Sequence, residues 1–461
     1  VDDDNIDLLS WGEPPSWTLG TVVTLDDPDR AGNGVGSVAD VVDRHLAGSG
    51  ARWLLWWHPL LGAPPIEAIR ATIAGSPLDA CHGGLALGSG NLPDEHDYIH
   101  PSTPFVLDPA PDVEGTCWRL SLGAALFRTD ALRTIGGIDR AFHGTTGAGL
   151  ELGHRLLEAG GIVRSAPWLV PETGLLPGAF DEHDRFLLLR RLFGRKWVDY
   201  AAVRRCLASR RMLRTYQGWR SSGRTAAAIA RPAAGLVERA PVAMPADPTV
   251  SVVLPTLGRY DLLRPLLGQL VEQTIAPVEI LVVDQNEPDK RDPDLYAEFE
   301  DRGVHVIWQE ERGQWISRNA AIQRSKGEWI AFVDDDSEVG PDFLAAHLEG
   351  LTRYQAALST GASLAVVGAP VPDNYRFFRV ADQWDSGNGM CRRTLFGEMG
   401  LFDQQFDRQR RGDAEFGLRV QLSGGLVLHN PDARRIHLKA ESGGLRSYGS
   451  WDGFRHRDRS G

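Results

Sequence analysis

Residues 326–339 read Lys326-Gly327-Glu328-Trp329-Ile330-Ala331-Phe332-Val333-Asp334-Asp335-Asp336-Ser337-Glu338-Val339, and the reading of this stretch decides the fold. Trp329 to Val333 is a short, unbroken apolar run, the pattern of a strand buried on both faces. It stops abruptly at Asp334-Asp335-Asp336. Three adjacent carboxylates repel one another, and such a cluster at the end of a buried strand needs a compensating cation. Alternate side chains of a strand point the same way, which puts Asp334 and Asp336 on one side. Hard oxygen donors there suit Mg²⁺ or Mn²⁺ holding a diphosphate. A solvated acidic turn is the plainer reading of the tripeptide alone.

The flanking sequence alternates strands and helices. Val250 to Leu254 is a buried strand running into Pro255-Thr256, and Leu262 to Val271 has helical spacing. Val278 to Val283 is a second strand ending at Asp284, and Val304 to Trp308 is a third. Gly313 and a helix over Ser317 to Arg324 then lead to the acidic strand. The alternation, with polar residues at strand ends, predicts an α/β sheet that binds its ligand at the carboxyl edge. Trp308, Gln314-Trp315, Trp384 and Gly387-Asn388-Gly389 are expected to line the cleft.

Ser251-Val252-Val253-Leu254-Pro255-Thr256, Glu279-Ile280-Leu281-Val282-Val283-Asp284, Ser317-Arg318-Asn319-Ala320-Ala321-Ile322 and Phe332-Val333-Asp334-Asp335-Asp336 occur in an order that resembles family 2 glycosyltransferases of the GT-A fold. Met399-Gly400-Leu401-Phe402-Asp403-Gln404-Gln405-Phe406 and Gly412-Asp413-Ala414-Glu415-Phe416-Gly417-Leu418-Arg419 continue the pattern, and the resemblance spans about residues 249–445. It implies a Rossmann-like, nucleotide-diphospho-sugar transferase domain. By position, Pro255, Thr256, Arg259, Asp284 and Arg318 become donor-binding residues, Asp284 meeting a uracil edge and Arg318 the base or diphosphate. Asp334 and Asp335 contact the nucleotide, and Asp336 with His437 holds Mn²⁺ or Mg²⁺. Asp413 becomes the catalytic base. Gly412 stands where the family usually has Glu, so Glu415 is a second candidate for the base. Asp413 also reads as a helix N-cap, Asp284 as a strand-end turn residue, and His437 as an ordinary histidine.

The chemistry fits these residue types. A departing diphosphate is a polyanion that a divalent ion steadies, and an acceptor hydroxyl needs a carboxylate to take its proton. The expected reaction is inverting transfer from a nucleotide-sugar, a UDP-sugar favoured, to a glycan, peptide, lipid-linked or small-molecule hydroxyl. A sugar nucleotidyltransferase would carry a Gly-rich basic loop after the first strand, which Thr256-Leu257-Gly258-Arg259 matches poorly. A non-catalytic carbohydrate- or partner-binding protein is the other alternative.

The first part of the chain echoes the second. At an offset of 264 positions Gly136 matches Gly400, Asp139 Asp403, Phe142 Phe406, Glu151 Glu415, Arg155 Arg419, and Gly160-Gly161 Gly424-Gly425. These seven identities at one spacing read as an internal duplication. Aligning Trp53 with Trp329 sets His58-Pro59-Leu60 opposite the three aspartates, Gly149 opposite Asp413 and Thr173 opposite His437. One strand over residues 18–25, a helix over Ser37 to Leu46 and a strand over Ala51 to Trp57 leave too few residues for a full nucleotide-binding half. The expectation is a truncated, degenerate, non-catalytic copy over residues 1–180 that serves as scaffold, acceptor platform or dimer surface.

A helical linker over 181–247 and a catalytic domain over 248–461 with a flexible tail complete the division. The linker, expected as one or two helices, is strongly basic: Arg185 to Arg224 holds twelve Lys/Arg and one acid, Asp199. It reads either as a solvated bridge or as a dock for an anionic acceptor or membrane. At 461 residues, 42% hydrophobic, with a net charge of −12, the chain suits two or three globular domains and argues against general nucleic-acid binding. Cys81, Cys117, Cys206 and Cys391 form no CxxC pair and read as reduced thiols. No apolar run is long enough to span a bilayer, and Val-Asp-Asp-Asp does not open a signal peptide, so a cytoplasmic protein, peripheral at most, is expected.

Overall fold

The structure, a computed structural model, describes residues 6–11, 20–25, 35–83, 109–110, 112–170, 180–208, 212–225, 227–232, 235–236, 242–365, 370–381, 383–408 and 411–438. Thr173 and the tail from Glu441 lie outside them. The chain divides into two compact units, residues 1–239 with 422–424 and residues 240–421 with 425–461.

The first unit carries β1 (Ile6–Trp11), β2 (Val22–Leu25), β3 (Trp53–Trp57), β4 (Ala80–His82), β5 (Gly115–Thr116), β6 (Ala124–Arg128) and β7 (Val163–Ser165). They form one sheet in the order β2-β1-β3-β6-β4-β7-β5. The second unit carries β8 (Val250–Thr256), β9 (Glu279–Asp284), β10 (Val304–Trp308), β11 (Trp329–Val333), β12 (Ser337–Val339), β13 (Leu358–Leu364), β14 (Arg379–Val380), β15 (Asn388–Arg392) and β16 (Val427–His437). Its order is β10-β9-β8-β11-β15-β13-β16-β12, with β14 on β16.

β11 is central and wholly buried, as its unbroken apolar run requires. It runs parallel to β8 and antiparallel to β15. One face of this sheet packs on Leu263, Leu266, Leu267 and Leu270 of helix Tyr260–Val271 together with helix Phe343–Arg353. The other packs on Trp315, Trp384, Phe402 and Phe416. Since β8, β9 and β11 are parallel, their carboxyl ends, Thr256, Asp284 and Asp334, come to one edge. β15 starts from that same edge with Asn388 opposite Val333. The second unit is thus a mixed α/β domain, helices covering both faces of one largely buried sheet.

In the first unit two strands, not one, precede β3. The sequence reading missed β1, whose residues Ile6, Leu8, Leu9 and Trp11 are nearly inaccessible, because six residues interrupted by Asp7 and Ser10 form neither an alternation nor an unbroken apolar run. The order β2-β1-β3-β6-β4-β7 parallels β9-β8-β11-β15-β13-β16 strand for strand. Registers agree as well: Trp53 faces Arg128 as Trp329 faces Arg392, and Ala80 faces Val163 and Phe127 as Leu358 faces Val427 and Cys391.

The basic segment is three helices, Glu182–Phe193, Arg195–Ala208 and Met212–Ser222. They belong to the first compact unit and share a small core of Phe186, Leu189, Val198 and Ala201. Gly218 lets the third helix lie close on the first, for a Cβ there would meet the Glu182 carbonyl oxygen at 2.6 Å. Asp184 anchors the first to helix Thr145–Glu158 by accepting the N–H groups of His143 and Gly144, each at 2.8 Å.

Candidate active site

The three aspartates diverge as the chain leaves β11: Asp334 meets two arginines of its own, while Asp335 and Asp336 share Arg259. Asp334 accepts from Arg318 Nη2 at 2.7 Å and from Arg435 Nη1 at 3.0 Å. Burial pushes its carboxyl up, but the two guanidinium groups outweigh that and hold it well below the usual carboxylate range. Asp335 accepts from Thr256 Oγ1 at 2.9 Å and Arg259 Nη1 at 2.8 Å. There burial wins, and the group is pushed up to about 6. Asp336 accepts from Arg259 Nη1 at 3.1 Å, and its other oxygen lies 3.4 Å from His437 Nε2. His437 arrives because β12 pairs with β16 so that Ser337 faces it. Burial raises Asp336, but His437 and Arg259 bring it below the ordinary value.

The turn between β14 and β15 completes the site. Arg318 Nη2 also reaches the Ser386 carbonyl at 3.1 Å, while the Ser386 N–H points to Asp413 Oδ2 at 3.5 Å, the outer limit of a hydrogen bond. Arg318, which holds Asp334, and Asp413 therefore meet the two sides of a single residue. Gly387 is required here, since a Cβ would sit 2.1 Å from Asp334 Oδ2. Asp413 lies in the first turn of helix Gly412–Leu422, and its other oxygen accepts the Ala414 N–H at 2.9 Å. Burial, with Asp385 nearby, pushes its carboxyl up to about 6. Arg318 is completely buried, and its Nε and Nη1 have no hydrogen-bond partner. A buried guanidinium with two unspent donors fits an anion in the cleft.

The sequence-predicted residues divide into two groups. Thr256, Arg259, Arg318, Asp334, Asp335, Asp336, Asp413 and His437 come together, with Pro255 beside Thr256 on β8. Glu415 does not join them: it pairs with Arg419 one turn on, at 2.6 Å, and Arg419 also bonds the Met399 and Leu401 carbonyls. Asp284 sits at the right edge but is fully buried. One oxygen accepts from the Tyr260 and Tyr296 hydroxyls at 2.6 and 2.7 Å. The other accepts from Asn286 N and Nδ2, each at 2.8 Å. A carboxylate so saturated has no lone pair left for a nucleobase, and the contact expected of it is corrected to a role in fixing its neighbours. Trp315 and Trp384 are core residues at 2% and 1% exposure, whereas Trp308 is 37% exposed.

Sequence reasoning missed Arg435 and Asp385. Arg435 bonds Asp334, the Gly387 carbonyl and, at 2.9 Å, Asp385. Its signal was available: two residues before His437 on a strand, it shares the face of His437. Asp385, in a turn, carried none.

Asp336 and His437 offer an oxygen and a nitrogen donor, and this set fits Mn²⁺ or Mg²⁺ with remaining ligands from a diphosphate. Another grouping, His143, His183 and Asp184 of the first unit, fits a metal poorly. The two imidazole rings stack at 4.0 Å and 8°, so their in-plane lone pairs run parallel and do not converge.

Residues 251–403 match the family described as Glycosyl transferase family 2. The putative teichuronic acid biosynthesis glycosyltransferase TuaG of Bacillus subtilis is 32% identical over 129 residues, 27% of this chain and 51% of that protein. The O-antigen biosynthesis protein RfbC of Myxococcus xanthus is 28% identical over 229 residues, 42% of this chain and 18% of that protein. The chain thus spans about half the length, or less, of these relatives. Among solved structures, S. aureus TarS 1-349 in complex with UDP aligns at 19% identity and a TM-score of 0.35, covering 41% of this chain and 60% of that one.

Proposed function

From the membership of residues 251–403 in glycosyl transferase family 2, we propose that this chain transfers a sugar from a nucleotide-sugar, a UDP-sugar favoured, to an acceptor hydroxyl with inversion at the anomeric carbon. The observation that carries the proposal is Asp413. It is a carboxylate with its pKa raised to about 6, held across Ser386 from Arg318, the arginine that binds Asp334 at the acidic strand end. At neutral pH it is ionised yet basic enough to accept the hydroxyl proton as the acceptor oxygen attacks. The new bond forms on the face of the sugar opposite the breaking bond to the diphosphate, which leaves with its electron pair.

Arg318, through its two unspent donors, would bind the phosphate oxygens. Thr256 and Arg259 hold Asp335, and Arg435 orients Asp334. Asp336 and His437 would hold a divalent ion, which when bound neutralises charge developing on the leaving diphosphate.

The first unit is read as a catalytically inactive copy. Its matched strand order and registers support common descent, and its residues explain the silence. His58-Pro59-Leu60 follows β3 where the acids follow β11. Opposite Asp413 stands Gly149, where a Cβ would meet the Leu120 carbonyl oxygen at 2.5 Å, leaving no space for a base.

Mn²⁺-dependent hydrolysis of a panel of sugar nucleotides tests the proposal. Activity is expected with at least one UDP-sugar. Asp336→Ala should abolish it, and Asp413→Asn should lower turnover with an acceptor by roughly a hundredfold to ten-thousandfold. Unaltered activity in both variants would refute the assignment.

A further inference from the structure

The described residues expose few large apolar side chains, and most of those that stand out gather in one place. Trp197, Tyr200, Val203, Leu207, Met212, Leu213 and Tyr216 are 45–85% exposed. They lie on the consecutive helices Arg195–Ala208 and Met212–Ser222. At 100° per residue, the four on the first helix fall within a sector about 120° wide that Lys196 and Arg204 share, while Val198 faces the other way into the small core. The second helix turns its small residues Thr215, Gly218 and Ser222 inward and Met212, Leu213 and Tyr216 outward.

Charge is interleaved with these apolar residues. Residues 195–224 hold nine Lys/Arg and one acid in a chain of net charge −12. Arg195, Lys196, Arg204, Arg214 and Arg220 are exposed beside the apolar residues. The single acid, Asp199, accepts the Trp219 indole N–H at 2.8 Å and lies 3.5 Å from Arg195. No helix is long and apolar enough to cross a bilayer among the described residues.

We propose that this helical hairpin is a membrane-surface foot, laying its exposed apolar residues into the headgroup boundary of an anionic leaflet while its basic residues meet the lipid phosphates. Exposed Trp, Tyr and Leu interspersed with Arg and Lys, whose long stems let the charged heads reach up to lipid phosphates while the apolar groups sink, suit a headgroup boundary. Tyr and Trp suit the depth where one end of a ring is apolar and the other wet. A symmetric contact between two copies is disfavoured, because it would bring both sets of cations together.

The full chain is sedimented with vesicles of phosphatidylcholine alone or mixed equally with phosphatidylglycerol. Binding is expected to the mixed vesicles, weakening with salt. The double variant Leu207→Glu, Leu213→Glu should bind at least about tenfold more weakly, with unchanged circular-dichroism melting and unchanged sugar-nucleotide hydrolysis. Lys196→Glu with Arg214→Glu should weaken it too. The proposal is overturned if the chain ignores the anionic vesicles, binds both kinds equally, or binds undiminished as the Leu variant. It is overturned as well if the lipid-free chain is a dimer that this variant dissociates, since the face would then join copies of the chain.

Discussion

In the proposed reaction Asp413 is the base and Arg259 sets the charge of the acidic strand end, and each makes a prediction. Asp413 is neutral below a pH of about 6 and ionised above it, because burial disfavours its charge. Its raised pKa places the loss on the acid side: kcat/KM should fall tenfold per unit as pH drops below about 6. A pH–rate profile of Asp413→Asn, whatever its residual rate, should lack that limb. Arg259 spans Asp335 and Asp336 with one nitrogen, so it neutralises the carboxylates that a divalent ion would also claim. Metal and guanidinium compete for Asp336 by elementary electrostatics. Arg259→Ala should therefore bind Mn²⁺ in the absence of nucleotide about tenfold more tightly than the unsubstituted chain. Calorimetric titration checks this, and equal affinity would show that Arg259 is no obstacle.

At the level of elements, the two units build one joint in the same way. Arg155 pairs with Glu151 at 2.8 Å and bonds the Ile135 and Gly137 carbonyls. Arg419 pairs with Glu415 and bonds the Met399 and Leu401 carbonyls, every partner displaced by 264 positions. Each arginine locks a helix onto the turn before it. In that turn Gly136 and Gly400, at φ +79° and +81°, take a left-handed conformation that favours glycine. The joint explains why Glu415, so near Asp413 in sequence, is structural: a helix turns 200° over two residues, sending Glu415 to the opposite side. Burial differs, with Arg155 3% exposed and Arg419 32%. Arg155→Met should destabilise its unit by about 3 kcal/mol, since Glu151 would be left buried and unpaired. Arg419→Met should cost about 1 kcal/mol in its half-exposed setting. Chemical denaturation of the two variants, followed by proteolysis to tell the units apart, gives the comparison.

For the whole molecule, the acids and arginines gathered at the β8–β11 edge, with His58-Pro59-Leu60 at the corresponding place after β3, predict one active centre among the described residues. His58→Ala with Leu60→Ala should leave sugar-nucleotide turnover within about twofold, as expected of positions outside the chemistry. A large loss in a steady-state assay would mean that the first unit takes part. Much of this organisation was legible in the chain itself. The central strand, the acids at its end and the alternation around it are local patterns, dictated by the need to bury apolar runs and leave charge at strand ends. The repeat at 264 positions was legible for the same reason, because identical turns and helix-facing residues recur wherever the same packing must be satisfied. What the tertiary structure decided was partnership. Arg318 and Arg435 on Asp334, Arg259 on Asp336, the closing of Asp284 by two tyrosines and an asparagine, and the meeting of Asp413 with Ser386 join residues far apart in sequence. No spacing rule governs such pairings, for they follow from which strand ends the sheet order brings to one edge and which charges must be neutralised once water is excluded.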